Sequence, residues 1–190
     1  KMSFIHPSSG RSMGHSLFRI LEFFRWPIVC YAGFSYGSYL IWFNVLNATA
    51  SLVLSDSPYN FSSSAVGLSY LSCCVGVVVG AIVAGTLSDL SIIKLTRRNC
   101  GTMEAEYRLW PLSACIIMVP ASLVLWGVGA SNGVNWMVLM VAMGCLAATG
   151  VLGLTLSINY VIDSYPKVSQ EAIVTVILIR NTMSFVVSYG

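Results

Sequence analysis

Arg180 stands in an otherwise uncharged apolar run, nine positions beyond Glu171. On a helix rising about 1.5 Å per residue, that is about 13 Å into a hydrocarbon layer about 30 Å thick. A cation at such depth costs about 2.5–3.5 kcal/mol on insertion scales unless water or a partner reaches it. It therefore either snorkels back to the interface or faces a polar cavity beside Asn181. Tyr36, Phe43 and Asn47 pose a similar choice, sharing one face at helical spacing with Tyr39 beside them. They form either the wall of a solvated path or aromatic packing with an asparagine bonded to a neighbouring helix. Asn159 lies among Thr155, Ser157 and Tyr160, where another apolar run turns polar. A third constellation is an island of charge: Asp89, Lys94, Arg97, Arg98, Glu104, Glu106 and Arg108 lie within twenty positions of one another, just after Gly85. Asp89 there can cap a helix start or pair with Arg97, Arg98 or an arginine from elsewhere, forming a latch in one conformation and releasing it in another. The same residues would also serve as a plain solvated loop.

Other chemistries lack their residues. The only histidines are His6 and His15, and no paired carboxylates replace them within the apolar runs, so an enzyme is not expected. Six cysteines occur without a CxxC pair or a partner histidine, which argues against a disulfide framework or a metal centre. The glycines at 76, 80 and 85 lie in an apolar run without the strand-to-helix setting of a phosphate loop. No cofactor, metal or nucleic-acid partner is expected.

The elements that must position these residues follow from composition. Only 9% of the 190 residues are charged and 56% are hydrophobic, against about 25% charged in a soluble domain, so lipid is the expected solvent. Uncharged stretches at 26–55, 57–88 and 109–162 are long enough for one, one and two crossings at about 20 residues each. Helices are predicted at 27–53, 64–87, 111–130, 136–161 and 171–190, with the turn Ser131-Asn-Gly-Val-Asn135 dividing the longest run. The fold class is all-α and polytopic. Residues 1–25 form a Ser/Gly-rich linker and an amphipathic interfacial helix, and 26–190 a transmembrane domain with a cytosolic loop at 89–108.

Lys and Arg fall before the first helix, between the second and third and between the fourth and fifth, whereas the two opposite connections contain none. The positive-inside rule puts the N-terminus and the charged island in the cytosol. Arg25-Trp26-Pro27 and Arg108-Leu109-Trp110-Pro111 repeat one recipe for starting a helix from that side: a charge, an interfacial indole and a proline in the first turn. Gly76, Gly80 and Ala84 at four-residue steps predict a close helix approach, within the bundle or between copies. Asn47-Ala-Thr49 and Asn60-Phe-Ser62 match the glycosylation sequon. Beginning at Lys1 and ending at Gly190 inside an apolar run, the chain is expected to be a piece of something larger.

Gly85-x-Leu87-Ser88-Asp89 followed by basic residues resembles the loop signature of the major facilitator superfamily, in the copy between the second and third helices of its C-terminal half. Arg97-Arg98, Glu104-x-Glu106-Tyr107-Arg108-Leu-Trp110, Asn159 to Pro166 and Arg180-Asn181 are similar to fungal drug:proton antiporters. The resemblance implies helices seven to eleven of a twelve-helix secondary transporter, with a missing N-terminal half. It further implies alternating access and proton coupling, and a small organic solute, drug-like or cationic, in the plasma or vacuolar membrane. Two positions depart from the pattern: Leu90 and Ile92 stand where Arg and Gly are favoured, leaving the partner of Asp89 open. The alternative is a non-transporting membrane scaffold or an inactive truncated transporter.

Overall fold

The computed structural model describes residues 23–99, 105–166 and 168–189, the side chains of Arg98 and Ser188 excepted. The linker and most of the predicted interfacial helix lie outside them, as do Cys100, Glu104 and Lys167. Among the described residues five long helices follow one another: α1 (Pro27–Ser55), α2 (Ser63–Arg98), α3 (Leu109–Ser131), α4 (Trp136–Ser164) and α5 (Ser169–Tyr189). A single 3-10 turn, Ala105–Arg108, leads into α3, and no strand occurs among the described residues. All five are long and apolar enough to cross a membrane, and the chain is an integral multi-pass membrane protein.

The starts obey the local rules. Pro27 takes the first position of α1, where its missing N–H costs nothing. Ser62 Oγ caps α2 by accepting from the Ala65 N–H at 3.4 Å, and Asn135 Oδ1 caps α4 by accepting from the Met137 N–H at 3.2 Å. Asn47 lies inside α1, so its sequon is closed off by the helix. Helix α3 passes Pro120 as one element.

One boundary differs from the sequence expectation. α2 runs on through Asp89, Lys94 and Arg97 to Arg98, so much of the expected loop is helix. At 36 residues it is about 54 Å long, well beyond a hydrocarbon core of about 30 Å. The departures at 90 and 92 explain this. Leu90 and Ile92 continue a helix that a glycine would weaken, and the chain turns only at Asn99, whose N–H still reaches Leu95 O at 3.0 Å.

α4 is the most buried of the five and packs against α1, α2 and α3, while α5 packs mainly on α1. Three apolar clusters tie the set together. Leu46, Leu54, Leu139 and Met143 fill one end; Val29, Tyr36, Val161 and Val176 fill the other between α1, α4 and α5; Ala84, Cys115 and Leu156 join α2, α3 and α4. The small-residue run of α2 is used inside the bundle. A Cβ on Gly76 would enter the Gly144 backbone of α4, and one on Gly80 would come within 2.7 Å of the Ala148 Cα. Ser72 Oγ, one turn earlier, donates to Met140 O. The opposite face of α2 leaves Leu68, Val75 and Ile82 more than 60% exposed, a surface suited to lipid or to further helices.

Alternation of the spans brings the α1 start, the α2–α3 connection and the α4–α5 connection to one end. There the Trp26 ring lies 4.6 Å from Tyr165 and 4.7 Å from Phe23. At the other end the two connecting loops lock together. Tyr59 of the α1–α2 loop donates its hydroxyl to Val134 O, with Gly129 O a second acceptor at 3.3 Å. Gly133, at φ +59°, sits where a Cβ would lie 3.2 Å from Pro58 Cγ, so glycine serves both the turn and the contact. Tyr59→Phe removes one hydrogen bond between the loops and is expected to lower stability by about 1 kcal/mol, read from detergent unfolding.

Candidate functional site

Two polar clusters stand out against this apolar frame. The first lies at the α1–α5 seam. Arg180 Nη1 donates to the Tyr36 hydroxyl at 2.8 Å, Arg180 Nε donates to Asn181 Oδ1 at 3.0 Å, and the guanidinium carbon lies 5.1 Å from the centre of the Tyr36 ring. A partly desolvated cation beside an aromatic ring gains about 1–2 kcal/mol, which offsets much of the cost of its depth. The backbones meet closely here because α1 offers glycines. A Cβ on Gly33 would strike Ile179, and one on Gly37 would lie 2.8 Å from Met183 Sδ and 3.5 Å from the Arg180 Cα. Two helical turns beyond Tyr36 on α1, Asn44 Nδ2 donates to Ser184 Oγ of α5 at 3.2 Å and extends the polar lane.

The second cluster closes the end where the basic residues gather. Arg108, at the head of α3, donates through Nε to Asp163 Oδ2 near the end of α4 and through Nη1 to Ser88 Oγ of α2. The paired side chains are 13% and 20% exposed, so one guanidinium ties three helices in a partly dehydrated setting. Nearby, Asn99 Nδ2 donates to the Tyr107 hydroxyl at 2.6 Å and braces the connection.

Of the residues singled out from sequence, Tyr36, Arg180 and Asn181 come together. Tyr39 lies flat on α4, where a Cβ on Gly153 would be 2.5 Å from its ring. It also lines a 300 Å³ groove between α1 and α3 with Tyr31, Ser35, Trp42, Cys115 and Pro120. Asn47 is half-buried, and its carbonyl accepts from the Tyr70 hydroxyl at 3.4 Å. Asn159 is half-buried on α4. Gly85 faces open space and Asp89 is exposed. Asp89 and Arg97 form no ion pair, because eight helical residues hold them about 12 Å apart along the axis. The Arg98 side chain is not among those described. Sequence reasoning missed the joining of Ser88, Arg108 and Asp163. Topology already put Arg108 and Asp163 at one end with opposite charge, and that was the available signal.

These features define a helical membrane protein whose polar groups converge at two places inside an otherwise apolar bundle. Comparison with known proteins narrows the class. The chain is 30% identical, over 92% of its length, to an uncharacterized MFS-type transporter of Schizosaccharomyces pombe and 29% identical, over 89%, to protein HOL1 of Saccharomyces cerevisiae. It is 25% identical over 86% of its length to the MFS antiporter QDR3 of Candida albicans. It spans 30%, 29% and 23% of those relatives' own lengths. No family model and no solved structure matches it. The chain is a homologue of the fungal major facilitator superfamily transporters, the family its sequence resembles.

Proposed function

We propose that the chain supplies five helices of the C-terminal half of a secondary active transporter that moves small organic solutes, drug-like or cationic, by proton-coupled alternating access. The observation that carries this reading is the Tyr36–Arg180–Asn181 cluster: a cation this deep in the span, held among the described residues by neutral groups alone, is what a path for water or solute would accommodate. The names of the relatives support transport, and antiport is what QDR3's name states of that protein. In this reading the end holding Arg108 and Asp163 faces the cytosol, as the positive-inside rule requires. Tyr39, Asn47 and Asn159 are proposed as further cavity-facing groups.

Asp89 is the proposed latch. Its exposed carboxylate and the open space over Gly85, one turn away on the same face, leave room for a cation from outside this chain. With Gly85, Asp89, Arg97 and Arg98 acting together, the latch would form in one state and part in the other. In the full-length protein, reconstituted in liposomes with a fluorescent organic cation as probe, Asp89→Asn is expected to cut turnover severalfold while sparing membrane insertion. Unchanged turnover would return the segment to a plain solvated helix end. Accumulation of the probe driven by outside acid would exclude export by antiport.

A further inference from the structure

We infer that Arg180 is an anion receptor: its guanidinium, held in place by Tyr36 and Asn181, takes one carboxylate near the middle of the membrane span. This rests on the transporter reading and adds a ligand chemistry to it. Three observations carry it. The first is hydrogen-bond arithmetic. A guanidinium has five N–H donors, and Arg180 uses one at Nε on Asn181 and one at Nη1 on Tyr36. One hydrogen on Nη1 and both on Nη2 remain, enough for the paired N–H bonds that a carboxylate accepts.

The second is charge. Both present partners are neutral, and Arg180 forms no ion pair among the described residues. Asp163 at the basic end is engaged by Arg108. A cation at this depth lacks the counter-charge that such residues normally find. The third is position. Tyr36 lies nine residues past the start of α1 and Arg180 eleven past the start of α5, about 13–16 Å from the same end of the bundle, and the two are level because a Cβ on Gly37 would lie 3.5 Å from the Arg180 Cα. Their bond therefore joins groups at equal depth, and the guanidinium has not moved to the interface. Close packing at Gly33 and Gly37 and the buried Tyr36 ring fix its position.

The carboxylate comes from one of two sources, the solute or an acidic side chain in the part of the transporter outside this chain. A bare organic cation placed against Arg180 would be repelled, so a cationic solute requires the second source or a carboxylate of its own.

The test uses the full-length transporter in detergent, titrated with 4-phenylbutyrate, 4-phenylbutanol and 4-phenylbutylamine, which share a shape and differ in charge. Binding is read from the shift in unfolding temperature of wild type, Arg180→Gln and Arg180→Lys. With the solute as source, the carboxylate probe binds at least about tenfold tighter than the alcohol, and Arg180→Gln abolishes that preference. Arg180→Lys, which keeps the charge and loses the fork, retains only part of it and covers the case in which the glutamine variant does not fold. With the protein as source, wild type shows no charge preference and Arg180→Gln unfolds at lower temperature. Neutralising one Asp or Glu outside this chain then restores it.

If no probe discriminates and Arg180→Gln is as stable as wild type, the inference fails. It also fails if stability drops and no acidic-to-amide change restores it, which would leave Arg180 as a structural partner of Tyr36. None of these readouts needs flux. A protein that binds the carboxylate and moves no solute would overturn the transporter reading while leaving the receptor standing.

Discussion

Gly76→Ala is expected to destabilise the bundle by about 3 kcal/mol, whereas Gly150→Ala, one methyl group added to α4, is expected to be neutral or slightly stabilising. The two glycines differ only in what they face. At Gly76 the new Cβ would land in the Gly144 backbone, which no rotamer change can clear, while at Gly150 it meets nothing within 4 Å. Relief requires α2 and α4 to part, and their separation loses contacts along the whole seam from Ser72 to Ala84. Gly80→Ala should behave like Gly76→Ala, since its neighbour is also backbone, at Ala148. Unfolding in mixed detergent micelles, followed by tryptophan fluorescence, compares the variants directly. Equal midpoints for the changes at 76 and 150 would mean that the two backbones do not meet.

The second large effect is expected at the three-helix tie. Removing one partner of an ion pair costs about 3–5 kcal/mol when both groups are buried and about 1 kcal/mol or less when both are in water. Side chains 13% and 20% exposed lie nearer the first case, so Arg108→Ala is expected to cost about 2–3 kcal/mol. It leaves Asp163 without its cation and Ser88 without its donor. Asp163→Ala should cost a similar amount, and the double variant should lose clearly less than the sum. Additive losses in that double-mutant cycle would show that the two groups do not act on each other. Because the pair is partly dehydrated, raising the salt concentration should change its contribution little.

The helix count and most helix ends were legible in the sequence because lipid imposes a length on each span and charge is excluded from it. The Trp-Pro pairs marked two starts, and the turn Ser131-Asn-Gly-Val-Asn135 marked the break before α4. The end of α2 was not legible. A cluster of Lys and Arg reads the same whether it lies on a loop or on a helix protruding from the membrane. Only the absence of a breaker between Leu90 and Thr96 distinguished the two.

The candidate site was legible in part. Arg180 was conspicuous because charge in an apolar run is costly, but its bond to Tyr36 spans 144 positions and no local rule selects that tyrosine from its neighbours. Likewise 55 positions separate Arg108 from Asp163. Each looked like an ordinary interfacial residue, and only the packing of α2, α3 and α4 makes them a pair.

The protrusion of α2 makes that helix a lever. Its fulcrum is the glycine seam around Gly76 and Gly80, and from there to Arg98 is about 30 Å of rigid arm. Each degree of tilt at the seam sweeps the Arg98 backbone through about 0.5 Å. A tilt of about 5° would carry the backbone at 89, 94 and 97 by a bond length or more, and it would pull on the Ser88–Arg108 and Asn99–Tyr107 bonds that hold the arm.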